Sequence, residues 1–229
     1  MPDPLLLLDT GSPLVSVAVA RDGEVVATRA IEQQRSSAHL LDLVAEALAE
    51  AGITVRDLGG VAVLRGPGSF TGLRIGLATA LGLHQALGVP ATALPSLQVM
   101  AAAVGAREGE TVIAAVDALR GDWSAQAFAA GSVPRPLGEM ELLPGSALPR
   151  LAPGPAVLTG FGVARLAEIP DWPPGLRLAE PGPLAPAAAR VAADPGTEWN
   201  PALLTSALYS RPPAISLPRP RNSPAPRTT

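Results

Sequence analysis

The sequence has no cysteine and no lysine, and these absences exclude several kinds of chemistry. All 17 basic residues are arginine. A Walker-type phosphate loop, a Schiff-base enzyme and a lysine general base all need lysine and are therefore excluded. Without cysteine the chain has no thiol nucleophile, no disulfide bond and no thiolate metal ligand.

Histidine is also scarce. The chain has only His39 and His84, which fall in separate predicted helices, so no histidine pair has the spacing of a metal site. A serine-histidine-aspartate triad lacks a supporting Gly-x-Ser-x-Gly motif. We expect no catalytic residue and no metal ligand in this chain.

Charge and hydropathy are typical of a globular protein. The formal net charge is -3, with 48% hydrophobic and 16% charged residues, which does not fit a nucleic-acid binder that relies on positive charge. No segment approaches the ~18 apolar residues of a membrane span. The apolar run 5–8 is followed by Asp9 and lacks a basic region before it, so we expect no signal peptide and a cytoplasmic location.

The first half of the chain alternates strands and helices. Apolar runs and turn residues predict the order β-β-β-α-β-α-β-α, and the pair Asp22-Gly23 predicts a tight hairpin. The predicted strands are 4–9, 14–20, 23–32, 60–64 and 91–94, and the predicted helices are 36–51, 70–87 and 95–104. The acidic stripe of the first helix is most simply a solvated face.

The second half is richer in proline and glycine. Its predicted elements are shorter: strands at 111–118, 124–130 and 156–159, and helical pieces at 162–168 and 184–193. We therefore expect an N-terminal lobe of residues 1–106, a reduced C-terminal lobe of residues 107–211, and a disordered tail, rich in proline and arginine, of residues 212–229.

A glycine-rich turn joins an apolar strand to a long apolar helix. Its sequence is RGPGSFTGLRIG, residues 65–76. Glycine permits positive φ and close backbone approach, and a hydroxyl residue can cap the helix, whose first amides face the turn. The pattern fits an anion site, but it equally fits a capped connection that holds no ligand.

The tetrapeptide Asp9-Thr10-Gly11-Ser12 follows the first strand. A carboxylate and small hydroxyl residues at a strand end can hold a hydrated metal ion or a phosphate. A single-chain aspartic protease pair is excluded, because a second Asp-Thr-Gly is missing. Together with the glycine turn, the candidate nucleotide- or anion-binding residues are Asp9, Thr10, Gly66, Gly68, Ser69 and Thr71.

The helix after the turn carries almost no charge, so it must be covered nearly all round. Gly72, Gly76 and Ala80 lie four residues apart and form a stripe on which another helix can pack closely. An ordinary core helix and a subunit interface both fit this pattern. The candidate interface residues are Gly72, Leu73, Gly76, Leu77 and Ala80, and replacing Gly76 with leucine is expected to weaken partner binding while leaving the chain folded.

Residues 117–122, DALRGD, end a predicted strand in the second half. They fit an acidic turn beside a cleft between the lobes. They fit an aspartate-arginine pair within a hairpin equally well.

Four motifs of this chain, and their order along it, resemble those of the TsaB family, also called YeaZ. The members of this family are bacterial tRNA threonylcarbamoyladenosine biosynthesis proteins. The resemblance covers residues 5 to about 130 well and is patchy from there to 200. The chain departs from the family pattern at Gly11, where the family usually has serine, and in its proline-rich tail. The motifs are residues 9–12 with the following strand, 65–76, 117–121 and 208–213.

The resemblance implies an α/β fold of the actin-like type (RNase H-like, ASKHA). It has two lobes with mixed sheets flanked by helices, and a reduced C-terminal lobe. The family resembles degenerate paralogues of TsaD, the catalytic subunit, which binds its metal with a histidine pair. The implied role is a non-catalytic subunit that binds TsaD and supports threonylcarbamoyladenosine formation next to the anticodon of tRNAs reading codons that begin with A.

The implied partners are TsaD in a heterodimer, the ATPase TsaE, and tRNA through the complex, with a homodimer when the chain is alone and no membrane. We expect no tightly bound cofactor, with ATP or ADP a candidate ligand at the partner interface. The alternative is a stand-alone actin-like-fold ATPase or small-molecule kinase, disfavoured because the second half lacks a glycine-rich phosphate loop. A metalloprotease is disfavoured by the missing histidine pair.

Overall fold

The structure is a computed structural model that describes residues 1–32, 39–152, 154–169 and 175–211. Its first sheet has five strands in the spatial order β3-β2-β1-β4-β5. Strands β1 to β3 form an antiparallel meander, whereas β4 lies parallel to β1 and to β5. The mixed sheet predicted from the sequence is therefore confirmed. The strands are β1 (Leu5–Asp9), β2 (Leu14–Arg21), β3 (Glu24–Glu32), β4 (Gly60–Leu64) and β5 (Ala91–Leu94).

In the described part of the chain, four α-helices cover the sheets: α1 (Leu40–Glu50), α2 (Phe70–Leu87), α3 (Ser96–Ala103) and α4 (Leu184–Ala192). The predicted start of the first helix at Ser36 lies outside the described residues. The acidic stripe of α1 is not simply solvated, because Arg29 of β3 forms ion pairs with Glu46 and Glu50. Helix α2 has the predicted bounds and ends at Gly88, whose φ of 69° is readily adopted by glycine.

The second sheet has the spatial order β11-β10-β6-β7-β8, and β9 also pairs with β7. The sequence predicted β6, β7 and β10 but missed three strands of two to four residues whose side chains are largely exposed or half-buried. Strands this short carry too few residues for a period-2 pattern, and unlike Ala91–Leu94 and Ala156–Thr159, which are equally short but buried throughout, these three are not continuous buried runs. The strands are β6 (Thr111–Asp117), β7 (Asp122–Ala129), β8 (Arg135–Pro136), β9 (Glu141–Pro144), β10 (Ala156–Thr159) and β11 (Leu176–Ala179).

Helices α3 and α4 lie between the two sheets. They pack against each other, α3 also contacts β6 and β7, and α4 contacts β1 and β2. The apolar core here joins Leu5 and Leu7 of β1 to Met100 of α3 and Phe128 of β7. Because side chains alternate along a strand, Asp9 is on the same face of β1 as Leu5 and Leu7. The end of β1 therefore directs a carboxyl group towards the space between the sheets.

The C-terminal part of the chain returns to the first sheet. Helix α4 packs on β1 and β2, and a 3-10 helix, Pro201–Thr205, contacts β5 and α2. The proposed division at residue 106, between α3 and β6, stays a prediction, and the predicted tail 212–229 lies outside the described residues. Within the described part of the chain, no helix has the length and apolarity that crossing a membrane requires.

Candidate functional site at the cleft between the sheets

A cleft of about 730 Å³ opens between the two sheets, near the end of β1. The loop after β1, the glycine turn before α2, the end of β6 and the C-terminal residues 209–211 all line it. This volume is within the range of small-molecule sites, which is ~300–1,000 Å³. The cleft therefore has the size of a ligand-binding site, and the predicted site residues are described below by their position relative to it.

The glycine turn is hydrogen-bonded to two other parts of the protein, the start of α3 and the loop after β1. The Gly66 amide donates to Ser96 Oγ at 3.0 Å, and the Gly66 carbonyl accepts from the Ser96 amide at 2.8 Å. The Ser69 amide donates to the Gly11 carbonyl at 2.8 Å. A Cβ atom on Gly68 would lie 2.7 Å from that same carbonyl oxygen, so the turn and the loop after β1 are in close backbone contact.

Asp9 is fully buried behind this contact. Its Oδ1 accepts hydrogen bonds from the amides of Gly11 at 3.0 Å and Ser12 at 3.3 Å, while Oδ2 has no hydrogen-bond partner. Burial raises the pKa of Asp9 to about 6, although hydrogen bonds from Ser12 and Gly11 act in the opposite direction. The carboxyl group is therefore not exposed to the cleft.

The six candidate anion-binding residues are not all brought together. Only Gly68 and Ser69 line the cleft. Thr10 is buried and donates from Oγ1 to the Gly72 carbonyl at 2.7 Å. Asp9 and Gly66 are also buried, and Thr71 is exposed on the outside of α2. Anion binding by these residues stays a prediction.

Ser69 caps α2, as expected for one of the two hydroxyl residues of the turn. Its Oγ accepts a hydrogen bond from the Gly72 amide at 3.3 Å. The amides of Gly11, Ser12, Ser69 and Gly72 therefore all have partners within the protein. This arrangement agrees with the interpretation of the turn as a capped connection between a strand and a helix.

The structure corrects the predicted interface on α2. Gly72, Leu73, Gly76, Leu77 and Ala80 are all buried within this single chain. A Cβ atom on Gly76 would overlap Thr10 Oγ1 and lie 3.2 Å from Val63 of β4. The small-residue stripe allows α2 to approach its own sheet, so it cannot face a partner in this fold. Replacing Gly76 with leucine would therefore disturb the fold, contrary to the expectation above.

The exposed side of α2 is a second surface with small residues. Thr71, Ala78, Gly82, Gln85 and Ala86 are exposed, and the space around Gly82 is open. We call these five residues the outer face of α2. It carries no acidic residue and no basic residue, although the exposed Arg74 lies beside it.

Asp117 lies at the cleft, at the end of β6. Its Oδ1 accepts a hydrogen bond from the Leu119 amide at 2.8 Å, and its Oδ2 pairs with Arg165 at 2.6 Å. The sequence left open an acidic turn or an aspartate-arginine pair, and the structure has features of both. The partner is not the neighbouring Arg120 but an arginine from the 3-10 helix Val163–Glu168.

Sequence reasoning missed several cleft residues that lie far from the glycine turn in the chain. Met100 comes from α3, Phe161 follows β10, and Tyr209 and Arg211 come from the C-terminal segment. The motif at 208–213 was the one available signal for the last two. No periodicity indicated that this segment returns to the cleft.

The two mixed sheets, the helices around them and the cleft at the end of β1 define an actin-like, RNase H-like fold. The fold of this chain is similar to that of component A of the (R)-2-hydroxyglutaryl-CoA dehydratase from Acidaminococcus fermentans. The similarity to that protein is one of fold alone. Its TM-score is 0.50 at 13% identity, with 82% of this chain and 95% of that chain covered.

The family model for TsaD, tRNA N6-adenosine threonylcarbamoyltransferase, matches residues 23–130. The tRNA threonylcarbamoyladenosine biosynthesis protein TsaB of Escherichia coli is 35% identical over 119 residues, which cover 52% of each chain. YeaZ from Pseudomonas aeruginosa superposes with a TM-score of 0.68 at 28% identity, covering 82% of this chain and 91% of that chain. The chain is thus similar to the TsaB (YeaZ) proteins, the resemblance that its motifs indicated.

The corresponding protein of Haemophilus influenzae is 36% identical over 115 residues, 50% of this chain and 49% of that protein. The chain thus spans about half the length of the curated relatives it matches. The family-model match includes β3, the glycine turn and α2, but not β1 or β2.

Proposed function

We propose that the chain is a non-catalytic subunit of the complex that forms threonylcarbamoyladenosine in tRNA. The modified adenosine is next to the anticodon of tRNAs that read codons beginning with A. The similarity to proteins named for threonylcarbamoyladenosine biosynthesis carries this proposal. The similarity of fold to YeaZ over 82% of the chain supports it.

The hydrogen bonds of the glycine turn favour a non-catalytic role over a catalytic one. A phosphate group is usually held by free backbone amides at a helix start. Here the amides of Gly11 and Ser12 donate to Asp9, and the Ser69 amide donates to a carbonyl. The turn thus holds α2 in place, and we place ATP or ADP at the partner interface rather than on this turn.

We assign the outer face of α2 to the contact with TsaD. Small residues let two helices approach closely, and a surface without charges loses little hydration energy when it is covered. The same face serves a homodimer when TsaD is absent. TsaE and tRNA join through the complex, which acts in the cytoplasm.

A substitution on the outer face tests this assignment. Gly82→Arg places a long charged side chain where the space is now open, so the fold is kept while the close approach of a partner helix is blocked. We expect the affinity for the TsaD of the same organism to fall by at least about 10-fold, which corresponds to about 1.4 kcal/mol. Isothermal titration calorimetry measures the affinity.

Gly138→Arg is the matched control, because Gly138 also has open space around it but lies between β8 and β9. We expect this variant to bind TsaD like the unmodified chain. Equal affinity of both variants would contradict the assignment to α2. No binding of TsaD by the unmodified chain would contradict the proposed partnership itself.

A further inference from the structure

The C-terminal segment crosses the mouth of the cleft after the last 3-10 helix. The Leu208 amide donates to the Arg65 carbonyl at 2.7 Å. Gly66 has a φ of 108°, and a Cβ atom there would overlap the Leu208 carbonyl oxygen. The segment is therefore packed directly on the glycine turn.

Tyr209 continues this contact on the first sheet's side of the cleft. Its ring centroid is 5.1 Å from that of Phe70, and Arg74 Nε donates to its hydroxyl oxygen at 3.4 Å. The Arg74 guanidinium also lies 3.8 Å from the Phe70 ring centre. An aromatic pair and a stacked arginine thus hold Tyr209 against the first turn of α2.

Arg211 makes the contact on the other side. Its guanidinium forms an ion pair with Asp122, the first residue of β7 in the second sheet. Tyr209, Ser210 and Arg211 line the cleft between these two attachment points. The segment therefore bridges the two sheets across the opening.

We propose that residues 208–211 form a clasp that controls access to the cleft and opens at the Arg211–Asp122 ion pair. The two ends of the clasp differ in strength. Leu208 and Tyr209 are held by a backbone hydrogen bond, packing against the turn and the aromatic pair. Both side chains of the ion pair are about one-third exposed, and ion pairs in contact with water contribute little stability. The Arg211 end is thus the one that releases first.

Release of the ion pair removes one wall from a cleft whose remaining lining is largely apolar, with Met100, Val116, Leu119 and Phe161 among its residues. Leu119 is already exposed, but Met100 is buried and Val116 and Phe161 are half-buried, so opening increases the access of solvent to these three apolar side chains. This role accounts for residues 208–211 of the 208–213 motif, to which the proposed function assigns no role.

Hydrogen exchange measured by mass spectrometry on the full chain tests the clasp. Asp122→Asn keeps the side-chain volume but removes the charge that holds Arg211. We expect exchange in residues 67–70 and 117–122 to become at least about 3-fold faster, while exchange in β1 and β4 stays unchanged. The dye 1-anilinonaphthalene-8-sulfonate, which fluoresces in apolar surroundings, should give at least about 2-fold stronger fluorescence.

Glu141→Gln is the matched control. It removes the charge partner of Arg150, also an exposed ion pair on the second sheet, but it does not touch the clasp. A second variant, Arg211→Met, should reproduce the effect of Asp122→Asn, and the double variant should add nothing further, since both remove the same ion pair.

The proposal requires both readouts. Equal exchange in Asp122→Asn and Glu141→Gln would overturn it, as would faster exchange without a rise in dye fluorescence. Additive effects of Asp122→Asn and Arg211→Met would also overturn it, because they would show that the two residues act separately.

Discussion

At the scale of single residues, Asp9 is the most unusual group of the site. Its carboxyl group is fully buried, and burial raises its pKa to about 6 from an ordinary value of 3.8. One oxygen accepts two amide hydrogen bonds and the other has no partner. Compared with the unfolded chain, the folded protein thus favours the neutral acid, because burial removes the carboxylate from water and its hydrogen bonds compensate only in part.

The raised pKa makes stability depend on pH in a defined direction. The folded state holds its Asp9 proton up to about pH 6, whereas the unfolded chain releases it near pH 4. The Asp9 contribution to the free energy of unfolding is therefore fully present below about pH 4 and falls as pH rises through about 6.

Asp9→Asn should remove this decline. We expect the difference in unfolding free energy between the variant and the unmodified chain to shift in favour of the variant by up to about 3 kcal/mol from pH 4 to pH 7.5. Urea unfolding at several pH values measures it. A difference that does not vary with pH would show that Asp9 does not titrate as described.

The sequence placed Asp9 correctly at the end of a buried strand but did not predict that it is sealed. The strand pattern specified only the face of β1 on which the carboxyl group lies. Its isolation from the cleft depends on the contact between the loop after β1 and the glycine turn, two segments distant in sequence. Local patterns carry no information about such a contact.

At the scale of elements, the bounds of α2 could be predicted from the sequence, but its buried face could not. Its bounds were predicted correctly, because the hydroxyl residues of the turn and the length of the apolar run are local signals. The sequence left open whether the small-residue stripe of α2 faces the core or a partner, and the structure has the stripe facing the core. Small residues occur on both sides, with Gly76 and Ala80 inward and Ala78 and Gly82 outward, so the sequence has no strong polar face to identify the solvent side.

Two alanine substitutions in α2 should have opposite effects. Gly76→Ala adds a methyl group that overlaps Thr10 Oγ1, so we expect it to destabilise the protein by about 1–3 kcal/mol. Gly82→Ala enters open space and gains helix propensity, so we expect a stabilisation of about 0.5–1 kcal/mol. Thermal and urea unfolding measure both changes.

These two variants are each other's control, because both replace a glycine in the same helix with the same residue. Stabilisation by Gly76→Ala would mean that α2 does not pack against the loop after β1 as described. Destabilisation by Gly82→Ala would mean that the outer face is already covered in the isolated chain.

At the scale of the whole molecule, the first half of the fold was predictable and the return of the chain was not. Strong strand and helix patterns gave the first sheet in its correct order along the chain. Helix α4 and residues 201–211 contact the first sheet after the chain has built the second. Such contacts between distant segments are set by tertiary packing rather than by local periodicity.

The proposed role also belongs to this scale, since a supporting subunit is defined by what it does in a complex. The cleft, the clasp and the buried Asp9 are properties of the isolated chain. The outer face of α2, with its open Gly82, is the surface assigned to a partner. The proposed function of the chain therefore predicts that the formation of threonylcarbamoyladenosine requires this chain, although the chain does not catalyse the reaction itself.

The most direct measurement is the amount of threonylcarbamoyladenosine formed in unmodified tRNA by purified TsaD and TsaE with ATP, threonine and bicarbonate. The account predicts product when this chain is present and at least about a 10-fold loss when it is omitted, with no product from the chain alone. Equal product formation with and without the chain would contradict the account.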